Sequence, residues 1–309
     1  MIELSILLIT FNNENYIEET ILSILNQNLN FKYEIVASDD CSKDTTFEIL
    51  KDYKNKYPDL FKIIKNESQL GILKNFKATL DRCQGKYIFD LAGDDILSDK
   101  SALQIIVDAL QKDEKLGFVD SGYDKLYEKH SKLEFFGNKN LINTSEDVYK
   151  EQILLGKTST IGVCFNKNLL YKYVDFDTYI KMDITIDDYP ILVDLIMNTN
   201  FRRINQSLHL YRIHDQSYSH SKCFEKQYFL ANQMKNLFDY FSKKYNFENN
   251  IIESYNKTHL KQILFYAGFF ENKELGKKVF LRITSKSIKD YIHYWASQNK
   301  FIRKLVSLI

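Results

Sequence analysis

The first 122 residues alternate between short apolar, β-branched runs and amphipathic helical stretches, and this alternation limits the possible folds more than any other feature. Residues 4–9 read LSILLI, a run of strand length. Residues 15–26 place Ile17, Ile21, Ile24 and Leu25 at helical spacing. Residues 33–37 are strand-like again, and residues 45–57 turn Phe47, Ile49, Leu50 and Tyr53 to one helical face. Segments 61–64, 72–83, 87–91, 102–110 and 117–120 continue the pattern. Repeated β–α units predict a mostly parallel sheet with helices on both faces. A run as apolar as SILLIT suits a strand buried on both sides.

The pattern then changes. Residues 123–185 are less regular, and 127–144 are rich in Lys and Asn. Residues 186–198 predict a helix opened by Asp187-Asp188, followed by two strands at 201–204 and 208–211. From Cys223 onward the spacing of Phe229, Leu230, Met234, Leu237, Phe238 and Phe241 is helical. There is no internal repeat and no low-complexity linker.

The formal charge of +1 gives no global attraction to nucleic acid. Cys41, Cys83, Cys164 and Cys223 are scattered, with no CxxC pair and no nearby His at zinc-finger spacing. That argues for free thiols in a reducing compartment. No stretch reaches the ~18 apolar residues of a membrane span, and the start lacks the basic region of a signal peptide. The expectation is a cytoplasmic protein.

In an open α/β sheet, ligands bind beyond the carboxyl ends of the strands. Three polar clusters fall there: Thr10-Phe11-Asn12-Asn13-Glu14, Ser38-Asp39-Asp40-Cys41-Ser42 and Ala92-Gly93-Asp94-Asp95. Clustered carboxylates repel unless a cation or hydrogen-bond donors offset them. Asp94-Asp95 offers hard oxygen ligands for Mg²⁺ or Mn²⁺, or else an acidic turn that caps the next helix. Asp39-Asp40 can accept the N3–H of a pyrimidine, or can simply form helix-capping turn chemistry. Asp187-Asp188 can act as a general base with an acidic neighbour, or as ordinary first-turn acids. Arg212 and His214 could reach phosphate or metal, or be structural.

Taken together and in order, these elements resemble glycosyltransferase family 2. The resemblance rests on Ser5 to Asn12, on Asn26-Gln27, and on Ser38-Asp39-Asp40-Cys41-Ser42-Lys43-Asp44-Thr45. It continues through Asn66, Gly71 and Asn75, Gly85-Lys86-Tyr87-Ile88 leading to Gly93-Asp94-Asp95, Asp187-Asp188, and Tyr211-Arg212-Ile213-His214 with Ser217 and Ser219. It covers about residues 1–220.

The resemblance implies a GT-A nucleotide-diphospho-sugar transferase fold, Rossmann-like α/β, with a helical C-terminal appendage. Residues 1–220 would be catalytic, with 1–122 holding the nucleotide and 123–220 the acceptor, and 221–309 would be helical. It implies inverting, hexosyl-type transfer from a nucleotide-diphosphate sugar, with UDP the expected carrier and dTDP the alternative that offers the same N3–H. The acceptor would be a glycan or lipid-linked glycan in bacterial capsule, lipopolysaccharide or other surface-polysaccharide synthesis. Thr10, Phe11, Asn12 and Glu14 would line base and ribose, and Asp39, with Asp40 beside it, would take the base. Asn75 would lie near ribose or diphosphate. Asp94, Asp95 and His214 would hold Mn²⁺ or Mg²⁺, with Asp94 also near the ribose. Asp188 would be the base, with Asp187 beside it. The acceptor would enter over residues from about Thr158 to Asp188.

Three residues depart from the family pattern. Ala92 replaces the first acid of a DxDD element and removes a ribose contact. Cys41 replaces a usual Gly, so its turn must avoid positive φ or be strained. Asp187 replaces a Glu. The Ala92 departure motivates a rival reading, a non-catalytic nucleotide-sugar or glycan-binding module. A nucleotidyltransferase would need a Gly- and Arg-rich loop after the first strand, where this chain has TFNNEN.

Residues 277–309 carry Lys277, Lys278, Arg282, Lys286, Lys289, Lys300, Arg303 and Lys304 against a single acid, Asp290. Aromatic and aliphatic residues lie between them, among them Phe280, Ile288, Tyr291, Trp295 and Phe301. Such a segment can lie on an anionic membrane, here the inner face of the cell membrane. It can equally pack on the catalytic domain or in a homo-oligomer.

Overall fold

The computed structural model describes residues 1–127, 132–134, 145–157, 160–214 and 223–306. It divides into two compact units, residues 1–153 with 158–214, and residues 154–157 with 215–309.

The first unit begins as the alternation predicts. β1 (Leu4–Thr10), α1 (Ile17–Leu25), β2 (Tyr33–Asp39), α2 (Thr46–Lys56), β3 (Phe61–Lys65), α3 (Ile72–Leu80) and β4 (Tyr87–Ala92) follow in turn. They lead to β5 (Ile96–Leu97), α4 (Ala102–Gln111) and β6 (Leu116–Tyr127). The first four long strands are parallel in the order β3-β2-β1-β4, with Thr10 beside Asp39 and Ile9 beside Ala92. That register brings the ends of β1, β2 and β4 to one edge. Ile17, Thr20, Ile21 and Ile24 of α1 are buried, and the three isoleucines enter one apolar core with residues of β1, β2 and β4. The continuous burial of β1 follows from its apolar residues on both faces.

Beyond β4 the sheet is mixed. β7 (Lys132–Glu134), α5 (Glu146–Leu154), β8 (Cys164–Asn166), α6 (Lys167–Tyr173), α7 (Phe176–Lys181) and α8 (Asp188–Asn198) occupy the stretch that looked irregular. β8 runs antiparallel between β4 and β6, and β6 pairs in parallel with β9 (Asn200–Ile213). The two expected strands at 201–204 and 208–211 are one 14-residue strand. Its register against β6 shifts at Gly122, so the polar break Asn205-Gln206-Ser207 is taken up by an irregularity and the strand continues. β5 pairs antiparallel with the end of β9 (Ile96 with Leu210), which carries Arg212 and His214 toward Asp94 and Asp95.

The second unit is helical: α9 (Phe224–Lys244), α10 (Asn249–Phe269), α11 (Lys273–Arg282), α12 (Ile288–Gln298) and α13 (Lys300–Val306). Ala231, Ile263, Leu264, Val279 and Ile283 form its core. Among the described residues no helix is long and apolar enough to cross a membrane.

Candidate active site

The edge formed by the ends of β1 and β2 is a network of turns locked to one another. Thr10 Oγ1 donates to Asn13 Oδ1 at 2.8 Å, and the Asn12 main-chain N–H donates to Ser42 Oγ at 2.8 Å. The Lys43 N–H returns a bond to Asn12 Oδ1 at 3.0 Å. Glu14 accepts from the Thr45 N–H and hydroxyl at the start of α2. Phe11 stands 39% exposed at the rim, so its ring is available to a ligand.

Asp39 and Asp40 are adjacent but do different work. Asp40 is buried, and its two oxygens accept from Asn66 Nδ2, the Leu70 N–H and the Gly71 N–H, fixing the loop between β3 and α3. Asp39 is fully buried, and its Oδ2 accepts from the Ser42 N–H at 3.0 Å. Asp39 Oδ1 has no partner among the described residues. Burial raises the carboxyl's pKa, while Ser42 and the Lys65 charge oppose the rise. A buried carboxylate oxygen with an unused lone pair calls for a donor. Asn75 stands behind this pair, its Oδ1 taking bonds from Ser38 Oγ at 2.7 Å and Asn66 Nδ2 at 2.9 Å.

Asn12 and Cys41 both adopt left-handed backbone, at φ 53° and 66°. For Cys41, the strained alternative of the sequence reading holds. Its turn needs positive φ, and its Sγ lies 3.7 Å from the Glu67 carbonyl oxygen. Gly93 is required by close approach, since a Cβ there would sit 2.6 Å from Thr10 Oγ1. The turn after β4 therefore packs directly on the end of β1.

Asp94 and Asp95 diverge. Asp95 is buried, and its Oδ1 accepts from the Arg212 main-chain N–H at 3.1 Å. Burial and the Asp94 charge raise its pKa well above the usual carboxylate range. Asp94 keeps a side chain 22% exposed, with Oδ2 3.0 Å from His214 Nε2. The His214 ring packs on Tyr16 at 4.5 Å between centroids. Arg212 donates from Nε to the Asp94 carbonyl oxygen at 2.9 Å, pairs with Glu19 of α1, and stands over the Tyr16 ring at 5.1 Å. Its side chain is only 6% exposed, so the guanidinium holds the turn and does not reach into solvent toward a phosphate.

A donor set of one carboxylate oxygen and one imidazole nitrogen fits Mn²⁺ or Mg²⁺, which fill their remaining positions with water and phosphate oxygens. Among the described residues no group of three His, Cys, Asp or Glu side chains is gathered tightly enough to hold a cation by itself.

Asp187 caps α8, accepting from the Asp188 N–H at 2.9 Å, and Asp188 accepts from the Tyr189 N–H at 2.6 Å. Both are partly exposed. Desolvation and the Asp188 charge raise the Asp187 pKa to about 7, and desolvation raises Asp188. Asp90 joins them. It lies on the same face of β4 as Ala92, two residues back. Desolvation together with the charges of Asp187, Asp188 and Asp95 holds its pKa well above the usual range. The carboxyl pair of α8 and Asp95 of the turn after β4 thus both act on the one Asp90 carboxyl.

Sequence reading missed Tyr16, Glu19 and Asp90. Glu19 reads as an ordinary first-turn acid of α1, and nothing in the sequence links Tyr16 to His214. Asp90 carried a usable signal, an acid inside an otherwise apolar strand. Thr158, Ser217 and Ser219 lie outside the described residues.

Comparison with known proteins bears on the family and the fold. The family model of glycosyl transferase family 2 matches residues 5–179, so Asp187, Asp188, Arg212 and His214 lie beyond the matched span. Among curated proteins, the minor teichoic acid biosynthesis protein GgaA of Bacillus subtilis is 36% identical over 107 residues, 34% of this chain and 24% of that protein. The chain spans about half the length, or less, of the curated relatives it matches (47% of an uncharacterised protein of Mycobacterium tuberculosis). Staphylococcus aureus TarS, residues 1–349 in complex with UDP-GlcNAc, superposes with a TM-score of 0.56 at 16% identity, covering 99% of this chain and 92% of that one. The mannosyltransferase PcManGT of Pyrobaculum calidifontis, in complex with GDP-Man and Mn²⁺, gives 0.60 at 13% identity, over 99% and 83%. These likenesses show the GT-A fold, and the family match, over more than half of the sequence, shows that the chain belongs to glycosyl transferase family 2.

Proposed function

We propose that this chain is an inverting glycosyltransferase that moves a hexosyl-type group from a nucleotide-diphosphate sugar to a hydroxyl of a glycan or lipid-linked glycan in bacterial surface-polysaccharide synthesis. The observation that carries the reading is Asp90, whose carboxyl feels both the Asp187–Asp188 pair at the start of α8 and Asp95, the neighbour of the Asp94 that meets His214. UDP is the proposed carrier, with dTDP the alternative, because the spare oxygen of Asp39 suits the N3–H that uracil and thymine share. The UDP-GlcNAc bound by TarS and the GDP-Man and Mn²⁺ bound by PcManGT support a nucleotide-sugar donor and a divalent cation. GgaA supports the polysaccharide setting.

Each side chain has a task in this scheme. The turns at Thr10 to Glu14 and at Asp39 hold base and ribose. Asp94 and His214 would hold Mn²⁺ or Mg²⁺, which when bound neutralises charge on the leaving diphosphate. Asp95, tied to the Arg212 main chain, fixes the turn that presents Asp94. Asp188 accepts the proton of the acceptor hydroxyl as that oxygen attacks the anomeric carbon from the face opposite the leaving group. Asp187, hydrogen-bonded to the Asp188 N–H, keeps the base oriented, while desolvation raises the proton affinity of Asp188.

Ala92 favours the second reading, a binding module without turnover. Against it, a binder has no need of desolvated carboxyls on the acceptor side. The deciding experiment is release of nucleotide diphosphate by purified protein with Mn²⁺ from UDP-, dTDP-, GDP- and CMP-sugars, beside Asp94→Ala and Asp188→Ala. The proposal expects turnover of one donor, lost in both variants. Binding of a donor without turnover, even with membrane lipid extract as acceptor source, would leave the binding module.

A further inference from the structure

The basic C-terminal segment is three helices, and two of them build one exposed patch. On α12, Ile288, Tyr291 and Trp295 recur at i, i+3 and i+7, on the side away from the buried Asp290, Ala296 and Ser297. They are 81%, 42% and 50% exposed. The patch continues onto α11 through Phe280, whose ring lies 5.1 Å from that of Tyr291, and Leu281 beside it is 73% exposed. Tyr291 and Trp295 adjoin at 5.9 Å between ring centroids. Scattered exposed apolar residues are ordinary, but an adjoining set of this size on one face is not.

Its surroundings are basic. Lys277, Lys278, Arg282 and Lys289 are exposed, and the Lys286 ammonium stands 4.9 Å over the Phe280 ring. The one acid of residues 277–303, Asp290, is buried and bonded to the Ser287 N–H and hydroxyl and to Lys261. Among the described residues of this stretch no exposed carboxylate relieves the positive charge at the rim, and Glu274, one turn before Lys277 and Lys278 on α11, offsets it only at that end. Trp and Tyr with an apolar body, ringed by Lys and Arg, match the chemistry of a bilayer's headgroup boundary.

We propose that the Ile288–Tyr291–Trp295 face of α12, with Phe280 and Leu281 of α11, docks on an anionic lipid surface. A second copy of this chain is the poorer occupant, because two such basic rims would repel each other. The inference stands on the second unit alone and does not need the glycosyltransferase reading.

Trp295 is the chain's single tryptophan, so it reports directly on its own burial. The experiment titrates the full chain with vesicles of phosphatidylcholine alone or mixed with phosphatidylglycerol. It follows Trp emission and flotation, and checks association state by sedimentation without lipid. The expected result is a blue shift and flotation with the anionic vesicles only, weakened by salt. Lys277→Glu with Lys278→Glu should reduce binding at least about tenfold, since neither side chain is buried. Tyr291→Ser should reduce it while leaving the helical circular dichroism unchanged. An emission spectrum unmoved by anionic vesicles overturns the proposal. So does a blue shift that appears without lipid as protein concentration rises, which would assign the face to a second copy.

Discussion

The guanidinium of Arg212 donates to the main-chain oxygen of Asp94 at 2.9 Å, from a strand that ends at Ile213, just before His214, the partner of the Asp94 carboxylate. The residue that shapes the turn and the residue that meets its carboxylate are thus carried at the end of β9 and just beyond it. Glu19 of α1 anchors the other end of the guanidinium, so three elements meet at one side chain.

This arrangement makes Arg212 a positioning residue, and Arg212→Met should lower Mn²⁺ affinity and turnover together, by about 10- to 100-fold, as loss of a group that orients metal ligands commonly does. Arg212→Lys should recover little, because an ammonium cannot bridge the Asp94 carbonyl and Glu19 as a planar fork does. Manganese paramagnetic resonance with UDP present measures the affinity without needing catalysis. An unchanged Mn²⁺ affinity in Arg212→Met would mean that the turn holds its shape without the guanidinium.

The Asp187 carboxyl gives a pH test with a definite sign. Its folded-state pKa is raised to about 7 from 3.8, by desolvation first and the Asp188 charge second. Between those values the folded chain binds the proton more than the unfolded chain, so this residue's contribution to stability falls as pH rises through the window. Asp187→Asn should therefore gain stability on the wild type between pH 5 and 8, by about 2 kcal/mol once solvent screening of the partly exposed group is allowed for. Thermal unfolding of both proteins across that range reads the difference. The kcat/KM profile should fall on the acid side near neutrality, where the Asp187-Asp188 pair takes up a proton as a unit. A stability difference independent of pH would remove the raised carboxyl from the account.

Much of this was legible in the sequence, and what was missed has a physical reason. Strands β1 to β4 and helices α1 to α4 follow local periodicity, and each buries the stripe that its spacing marks. The mixed half of the sheet was not legible, because β8 is three residues long and draws its stability from β4 and β6 on either side. The acids at Asp39, Asp94 and Asp187 could be found by their places at element ends. That Asp40 serves the β3–α3 loop, while neighbouring Asp39 keeps a free oxygen, depends on contacts about thirty residues away. Sequence spacing carries no signal for such contacts.

Cys41 offers a stabilising substitution. Its φ of 66° costs a residue with a Cβ about 1–2 kcal/mol, and glycine avoids that cost while adding about 0.5–1 kcal/mol of chain entropy in the unfolded state. Cys41→Gly should therefore raise stability by about 0.5–1 kcal/mol, with donor binding unchanged. Cys41→Ala keeps the strain and should not stabilise. Denaturant unfolding of the two variants against the wild type separates backbone strain from any effect of removing the thiol.

Asp39 gives the sharpest test of the donor. Its Oδ2 is held by the Ser42 N–H while Oδ1 stays unpaired in a fully buried position, so a ligand N–H aimed at Oδ1 would gain a charge-assisted bond worth about 1.5–3 kcal/mol. Uracil presents such an N–H at N3, and cytosine presents an acceptor there. Asp39→Asn removes the charge and can turn an NH₂ toward the ligand. It should weaken UDP by about 10- to 100-fold while weakening CDP far less, narrowing the gap between the two. Calorimetric titration of wild type and variant with both nucleotides in the presence of Mn²⁺ gives the four affinities needed. If UDP and CDP lose equally, the carboxylate acts on the fold of the β2 turn and the base is read elsewhere.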